Sequence, residues 1–290
     1  MPLRAQEPEN AVALDHRSTA VGGLVGHLRS VRAALAFWLM TYRRTWRGSA
    51  ASGFLAPVLY LGSLGYGLGS LIDRGTAAAG AGLGGVAYAA FVAPGVLTAT
   101  AMQTAVTEST YPVMGAVKWN RQYHAMLATP LEPVHILLGH LAFVVVRVAL
   151  VSLTFAGVGL AFGAFGIGVL PAVGVAVLCG AAHAAPVMAF SVRQDTESGF
   201  PLLFRFGLVP MFLFAGTFFP LTQLPAAIRP LAWVTPLWHA TDLARGLCLG
   251  SLHPGLHDLL WSGMHLAYLL LWCVGGCALA TRGYRARLAP

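Results

Sequence analysis

The sequence predicts an all-α integral membrane protein: six transmembrane helices, an N-terminal amphipathic interfacial helix, and an outer re-entrant helical hairpin between spans five and six. Three observations carry this expectation. Of 290 residues, 57% are hydrophobic and only 10% charged, against about 25% charged in soluble domains. Cutting the chain at every Asp, Glu, Lys and Arg leaves uncharged runs of 25 residues (48–72), 33 (75–107), 45 (148–192) and 23 (259–281). Each is longer than the roughly 20 residues that cross a bilayer core. The basic residues, finally, crowd into alternate segments.

In chain order, residues 1–27 read as a polar cytoplasmic tail. They are mixed in charge and lack the apolar core of a signal peptide, so the first span is expected to insert as a signal anchor. Residues 28–47 form an amphipathic connecting helix. Val31, Leu35, Trp38 and Tyr42 fall in one arc with Leu28 and Trp46 beside it, and Arg29, Arg32, Arg43, Arg44 and Arg47 lie opposite. Such a helix lies in the interface of the inner leaflet. Phe37 and Met40 interrupt its polar face and point to contact with protein as well as lipid.

Residues 48–285 are the six-span domain, with spans at about 50–71, 87–108, 135–162, 169–190, 200–220 and 259–281. The 45-residue run holds most of two helices, reversing at the glycine-rich stretch 163–168 with Pro171 just beyond. Residues 221–247 are apolar, yet Pro225, Pro230 and Pro236 interrupt them and Arg229, His239, Asp242 and Arg245 would be buried by a crossing. Two short helices entering from the outer face and returning satisfy both facts. Asp242 and Arg245 stand at a spacing that permits an ion pair. Phe219, Trp233, Trp238 and His239 are the candidates for an outer gate.

Orientation follows from Lys and Arg, which are retained on the cytoplasmic side of short loops. With both termini inside, thirteen basic residues lie in inner segments and three, Arg74, Arg229 and Arg245, in outer ones. The net charge of +8 then has anionic inner-leaflet lipid as its partner and needs no nucleic acid.

The inner loop 109–130 is the second informative segment. Trp119, Tyr123, Met126 and Leu127 form one helical stripe and Lys118, Arg121 and Gln122 another, so a short helix bounded by Pro112 and Pro130 is expected. Aromatics beside basic groups suit docking to another protein, and equally suit lying on the membrane. Within the spans, Arg147 is about twelve residues deep, roughly 18 Å, near the midplane. Glu108 and Arg205 sit near inner ends, where snorkelling to the interface is the alternative to a role. Glu108 and Arg147 are the candidates for a conduit or dimer interior, with a structural hydrogen bond the alternative for Arg147. His253, His257, His265 and Asp258 do not converge on one turn and are read as no metal site. The cysteines at 179, 248, 273 and 277 are read as small packing residues.

The run 88–96 (Tyr-Ala-Ala-Phe-Val-Ala-Pro-Gly-Val), the run 108–115 (Glu-Ser-Thr-Tyr-Pro-Val-Met-Gly), the basic-aromatic 118–121 and the stretch 125–131 (Ala-Met-Leu-Ala-Thr-Pro-Leu) together resemble the permease subunits of ABC-2 type exporters. The similarity is to the nodulation-protein J group of lipooligosaccharide permeases and, more distantly, to daunorubicin-resistance permeases. The later run 214–221 (Phe-Ala-Gly-Thr-Phe-Phe-Pro-Leu), with Leu224-Pro225 and the segment 236–240, is similar to the segment by which the superfamily is recognised. The resemblance covers about 30–285 and is more specific to the superfamily than to the branch. It implies a homodimer, or a heterodimer with a second permease. Each copy would dock on a separate cytoplasmic ATPase subunit that holds ATP and Mg, with no cofactor on this chain. In that scheme 112–130 is the coupling helix, with Lys118, Trp119, Arg121 and Tyr123 at the docking face. The cargo implied is an amphiphile, such as a lipooligosaccharide or another glycolipid, moved outward across the plasma membrane, or alternatively a hydrophobic drug.

Other classes lack their residues. A P-loop needs Gly-x-x-x-x-Gly-Lys-Ser/Thr, and the single lysine, Lys118, follows Val117. Intramembrane proteolysis needs Gly-x-Ser with a facing histidine, or His-Glu-x-x-His, and neither occurs. A secondary transporter would place carboxylates at the midplane, and only Glu108 is a candidate.

Overall fold

The computed structural model describes residues 23–79, 86–250 and 256–288. The expected tail 1–27, save its last residues, and His253 lie outside them. All regular secondary structure among the described residues is helical, without strands.

Helix α1 (Leu24–Tyr60) runs through a π-helical stretch, Leu61–Leu68, into α2 (Gly69–Ala79). The expected boundary between connecting helix and first span at 47/48 is therefore no break: amphipathic segment and span form one helix. After α3 (Tyr88–Ser109) come α4 (Tyr111–Met114), a π-turn Gly115–Trp119 and α5 (Gln122–Leu127). Pro133 opens α6 (Pro133–Ala161), whose Glu132 and His135 form a capping box. The chain reverses at the predicted glycine-rich stretch into α7 (Val169–Ser191).

The expected fifth span, 200–220, is cut short. It consists of α8 (Gly199–Leu202), a π-helical Leu203–Leu208 and α9 (Val209–Phe214), ending six residues early. Gly216 takes a left-handed φ of 75°, and Pro220 cannot resume a helix across its own missing N–H. The segment Gly199–Phe214 spans about 24 Å at 1.5 Å per residue, less than the roughly 30 Å hydrocarbon core. Among the described residues, five other helical segments are long and apolar enough to cross: Gly53–Gly75, Tyr88–Trp119, Pro133–Ala161, Val169–Ser191 and His257–Leu288. Between the short segment and the last helix lie α10 (Arg229–Trp233) and α11 (Pro236–Leu249), and α12 (Leu256–Leu288) closes the chain.

Helix α7 is the centre of the bundle, in contact with α3, α6, α11 and α12. Its buried positions are mostly small: Ala172, Ala176, Gly180, Ala182, Ala184 and Ala185. Among apolar surroundings no hydrophobic force draws helices together, and close backbone approach through small residues supplies the packing instead. The flanks differ. Phe54, Leu55 and Leu59 on α1, and Leu270, Leu271 and Val274 on α12, are exposed.

Candidate functional site

The contacts between α1 and α6 set the depth of everything at the basic end. His27 meets His135, Trp38 stacks on His140, Tyr42 meets Arg147 and Tyr66 meets Phe162. The two helices therefore run side by side in the same direction. Gly139 makes this possible: a Cβ there would lie 2.4 Å from the Ala34 Cβ.

Arg147 joins this pairing. Its guanidinium donates to Glu108 Oε1 from Nε at 3.1 Å and Nη2 at 3.0 Å, and from Nη1 to the Tyr42 hydroxyl at 2.6 Å. Tyr42 belongs to the basic amphipathic stretch, and Glu108 is next to the last residue of α3. Arg147 thus lies level with Tyr42 and shares a cavity wall with Arg43. The ion-pair side chains are 11% and 20% exposed, buried enough that each charge depends on the other. Arg205, the other cation in a span, lies in the π-helical stretch of the short segment.

The inner loop does not form the single helix expected over 112–130. Asn120 ends the first piece, and Arg121 is the only non-glycine residue with positive φ (50°) among the described residues, a backbone state rare for L-residues. The break divides the expected stripe. Trp119 is 51% exposed, with Lys118 and Arg121 exposed on either side, whereas Tyr123 is fully buried. Tyr123 therefore cannot serve as an anchor offered to a partner's cleft. Its hydroxyl lies 2.5 Å from His140 Nδ1 and 3.0 Å from the Tyr284 hydroxyl. Burial and the neighbouring Tyr284 push its ionisation well above the ordinary tyrosine value, so it stays a neutral donor. Trp38 stacks on His140 at 3.9 Å between ring centroids. Tyr123 thus fastens the loop to α1, α6 and α12 at one point. Lys118 Nζ donates to the Asp195 carbonyl, and Arg287 donates to the Asp195 carboxylate at 2.6 Å. A cleft of about 720 Å³, lined in part by Arg29, Phe37, Asn120, Gln122 and Met126, opens between α1 and the loop.

At the opposite end, α10 and α11 are the two short helices expected between 221 and 247. Arg229 ties the first arm by donating to the carbonyls of Leu224 and Thr222 at 3.0 and 2.7 Å. The Asp242–Arg245 pair permitted by spacing is not a direct contact. Arg245 donates to the Phe91 carbonyl at 3.1 Å and the Gly216 carbonyl at 2.8 Å, with its guanidinium 3.9 Å from the centre of the Phe91 ring. It holds the non-helical stretch after Phe214 against α3, where Gly95 leaves room: a Cβ there would lie 2.7 Å from the Thr217 carbonyl oxygen. Asp242 turns instead to α12, with Oδ2 3.3 Å from His265 Nε2. His265 Nδ1 lies 2.8 Å from His239 Nδ1, and His239 Nε2 lies 2.9 Å from the Trp233 carbonyl. Tyr268 stacks on His239 at 3.9 Å. Of the proposed outer-gate residues, Trp233 is half exposed, Phe219 and Trp238 partly exposed, and His239 buried.

The structure thus joins Glu108 to Arg147, and His239 to Trp233 and Trp238, and separates Trp119 from Tyr123. Sequence reading missed Tyr42 and Tyr284 as polar partners, because their rings fall on apolar arcs and only the tertiary contact uses the polar atom. It also missed a polar stripe on α3, Thr100, Gln103, Thr104 and Thr107, which lines a cavity beside Glu108. The three-and-four spacing was a readable signal, hidden by averaging hydropathy over the span.

Comparison with known proteins agrees with this architecture. The ABC-2 type transporter family matches residues 30–249, from the first turns of α1 to the end of α11. Nodulation protein J of Rhizobium leguminosarum bv. trifolii is 30% identical over 262 residues, covering 87% of this chain and 94% of that protein. Nodulation protein J of Rhizobium meliloti (strain 1021) is 29% identical over 264 residues, with 87% and 94% covered. That of Neorhizobium galegae is 30% identical over 251 residues, with 82% and 88% covered. An all-helical bundle with several membrane-length apolar helices, matched over most of its length, leaves one assignment: this chain belongs to the ABC-2 type transporter family, whose members are the membrane-spanning components of their transporters.

Proposed function

We propose that this chain is the permease subunit of an ATP-driven exporter. It would work in the plasma membrane as a dimer of like subunits, each carrying a separate cytoplasmic ATPase that holds ATP and Mg. The observation that carries the reading is the divided inner loop. Lys118, Trp119 and Arg121 face outward beside a cleft, and Tyr123, two residues beyond Arg121, is bonded to α6 and α12 and packs on Trp38 of α1. A push on Trp119 has a short rigid path to three helices. Docking is therefore assigned to Lys118, Trp119 and Arg121, and transmission to Tyr123. Trp119→Ala with Arg121→Ala should leave the permease inserted while its co-purification with the ATPase falls, since aromatic anchors commonly contribute about 2 kcal/mol or more to an interface. Full co-purification and full export by that double variant would refute the docking face.

We take the topology to be six spans with both termini cytoplasmic, the short Gly199–Phe214 segment crossing where the bilayer thins to meet it. Support comes from the basic asymmetry and from α1 and α6 running in the same direction. Cysteine introduced at 74 should be labelled from outside and cysteine at 121, 193 or 285 should not. Outside labelling at 285 would overturn the topology.

The cargo is an amphiphile, in the first instance a lipooligosaccharide, the class implied by the resemblance to the nodulation-protein J group. A hydrophobic drug is the alternative, and neighbouring genes discriminate between them: glycosyl and acyl transferases favour the glycolipid, an antibiotic cluster the drug. Release is assigned to the outer hairpin, re-entrant from the outer face, with Phe219, Trp233, Trp238 and His239 at the gate. The exposed Trp233, flanked by the exposed Leu231 and Val234, supports this placement.

A further inference from the structure

Two cavities meet at the basic end across a partition formed by Gly53, Arg147 and Val151, which line both. The first, about 580 Å³, lies between α1 and α6 and is walled by Trp46, Phe54 and Leu150, with Arg43 and Tyr42 at its rim. The second, about 240 Å³, lies among α1, α3 and α6 and is walled by Thr100, Gln103, Thr104, Thr107 and Glu108. Three features of this pair point to one kind of occupant.

The polar limb has unspent hydrogen-bonding capacity. Thr98 and Thr110 back-bond to carbonyls of their own helix, as threonines in apolar helices commonly do. The side chains of Thr100, Gln103, Thr104 and Thr107 make no hydrogen bond among the described residues. A primary amide left unpaired in an apolar bundle is costly, so polar groups there mark a site that something polar fills. The charge is also unbalanced. Two guanidinium groups, Arg43 and Arg147, line the first cavity, one carboxylate, Glu108, lines the second, and Arg43 has no acidic partner among the described residues. The apolar limb, finally, opens among the exposed side chains of Phe54, Leu55, Leu150 and Leu153, where the acyl region of a leaflet would lie.

We propose that the paired cavities bind one inner-leaflet amphiphile with a monoanionic, hydroxyl-bearing head. Its phosphate sits against Arg43 and Arg147, its head hydroxyls on Gln103 and the threonines, and its chain along Trp46, Phe54 and Leu150. The site deepens the exporter reading, on which it rests for the basic end facing the inner leaflet. The shared chemistry fits a resident phosphatidylglycerol-like lipid or an acidic amphiphilic cargo.

The test uses the full chain in phosphatidylcholine nanodiscs, without ATPase. A photoactivatable phosphatidylglycerol is compared with a phosphatidylcholine probe carrying the same chains, and the attached peptides are located by mass spectrometry. The glycerol head should label α1 near 53 and α6 near 150 about fivefold more than the choline head, the factor one arginine contributes at an anionic surface. Arg43→Gln should lower that preference. Gly53→Leu, which plugs the partition, should lower labelling, whereas Gly53→Ala should not, since its Cβ would meet only Val151 Cγ2 at 3.8 Å. Should Gly53→Leu fail to insert, Arg43→Gln and Gln103→Leu, at exposed and partly exposed positions, carry the test. Equal labelling by the two probes, or a preference that Arg43→Gln leaves undiminished, overturns the site. So does a disulfide joining two copies through Gln103→Cys, because a second copy would then cover the polar limb. Adding the partner ATPase and ATP separates the sources: a probe moved to the other leaflet is cargo and a retained probe is resident lipid, and either supports the site. Labelling is read without ATP, so it fails separately from export.

Discussion

The two ends of the bundle keep buried polar groups by opposite means. At the basic end, side chain meets side chain between regular helices: Glu108 with Arg147 and Tyr42, and Tyr123 with His140 and Tyr284. At the other end the backbone itself is irregular, and cations on α10 and α11 donate to carbonyls, Arg245 to Phe91 in the first turn of α3 and to Gly216, Arg229 to Leu224 and Thr222. The difference follows from where helices stop. A helix that ends inside the bundle leaves carbonyls without partners, and an arginine with several donors is the economical way to satisfy them. The basic end joins whole helices and so suits transmission. The opposite end holds a loop in place and so suits a part that must change shape.

That contrast orders the expected effects of mutation. Arg245→Ala should be the most damaging change, lowering stability by about 4 kcal/mol, because two buried carbonyls at about 1–3 kcal/mol each lose their donor. Arg245→Lys should recover little, since one ammonium lacks the forked geometry that reaches both carbonyls. Thermal unfolding of the purified protein measures this, and a wild-type midpoint for Arg245→Ala would remove the distinction between the ends.

Breaking the opposite cluster comes next. Glu108→Gln or Arg147→Gln should cost about 3 kcal/mol by leaving a buried charge alone, while Glu108→Leu with Arg147→Leu should recover most of the loss, both charges being gone together. A double variant as unstable as the sum of the singles would show that the two residues act independently.

Tyr123→Phe should cost about 1–2 kcal/mol, the worth of its two hydrogen bonds, and should reduce export without reducing ATPase co-purification. Trp119→Ala should do the reverse, leaving the midpoint within about 0.5 kcal/mol of wild type, as exposed substitutions do. If both variants lose co-purification equally, Tyr123 touches the partner after all and the assignment of roles falls.

Two substitutions at Asp242 compare within one contact. Asp242→Asn keeps an amide oxygen that can accept from His265 Nε2–H and should stay within about 1 kcal/mol, whereas Asp242→Leu leaves His265 Nε2 without that acceptor and should cost about 1–3 kcal/mol. The order Asn above Leu in unfolding temperature is the readout, and its inversion would make the Asp242–His265 contact incidental.

By itself the sequence determined the class of solvent, because long uncharged runs are at home where water is absent. It also determined that 221–247 is broken into short helices, because proline fits best in the first turn of a helix, where Pro230 and Pro236 stand. It determined the resemblance as well, through local runs such as 108–121 and 236–240. Tertiary structure alone decided what each polar atom faces. The stripe of Trp119 and Tyr123 splits because Arg121 takes a left-handed turn that no wheel encodes. Arg147 meets Tyr42 because α1 lies against Gly139. Asp242 and Arg245 make no direct contact because nearer partners, His265 and the carbonyls of Phe91 and Gly216, come from other parts of the chain. Periodicity reports which face of a helix is apolar. Which group waits on that face depends on residues a hundred positions away.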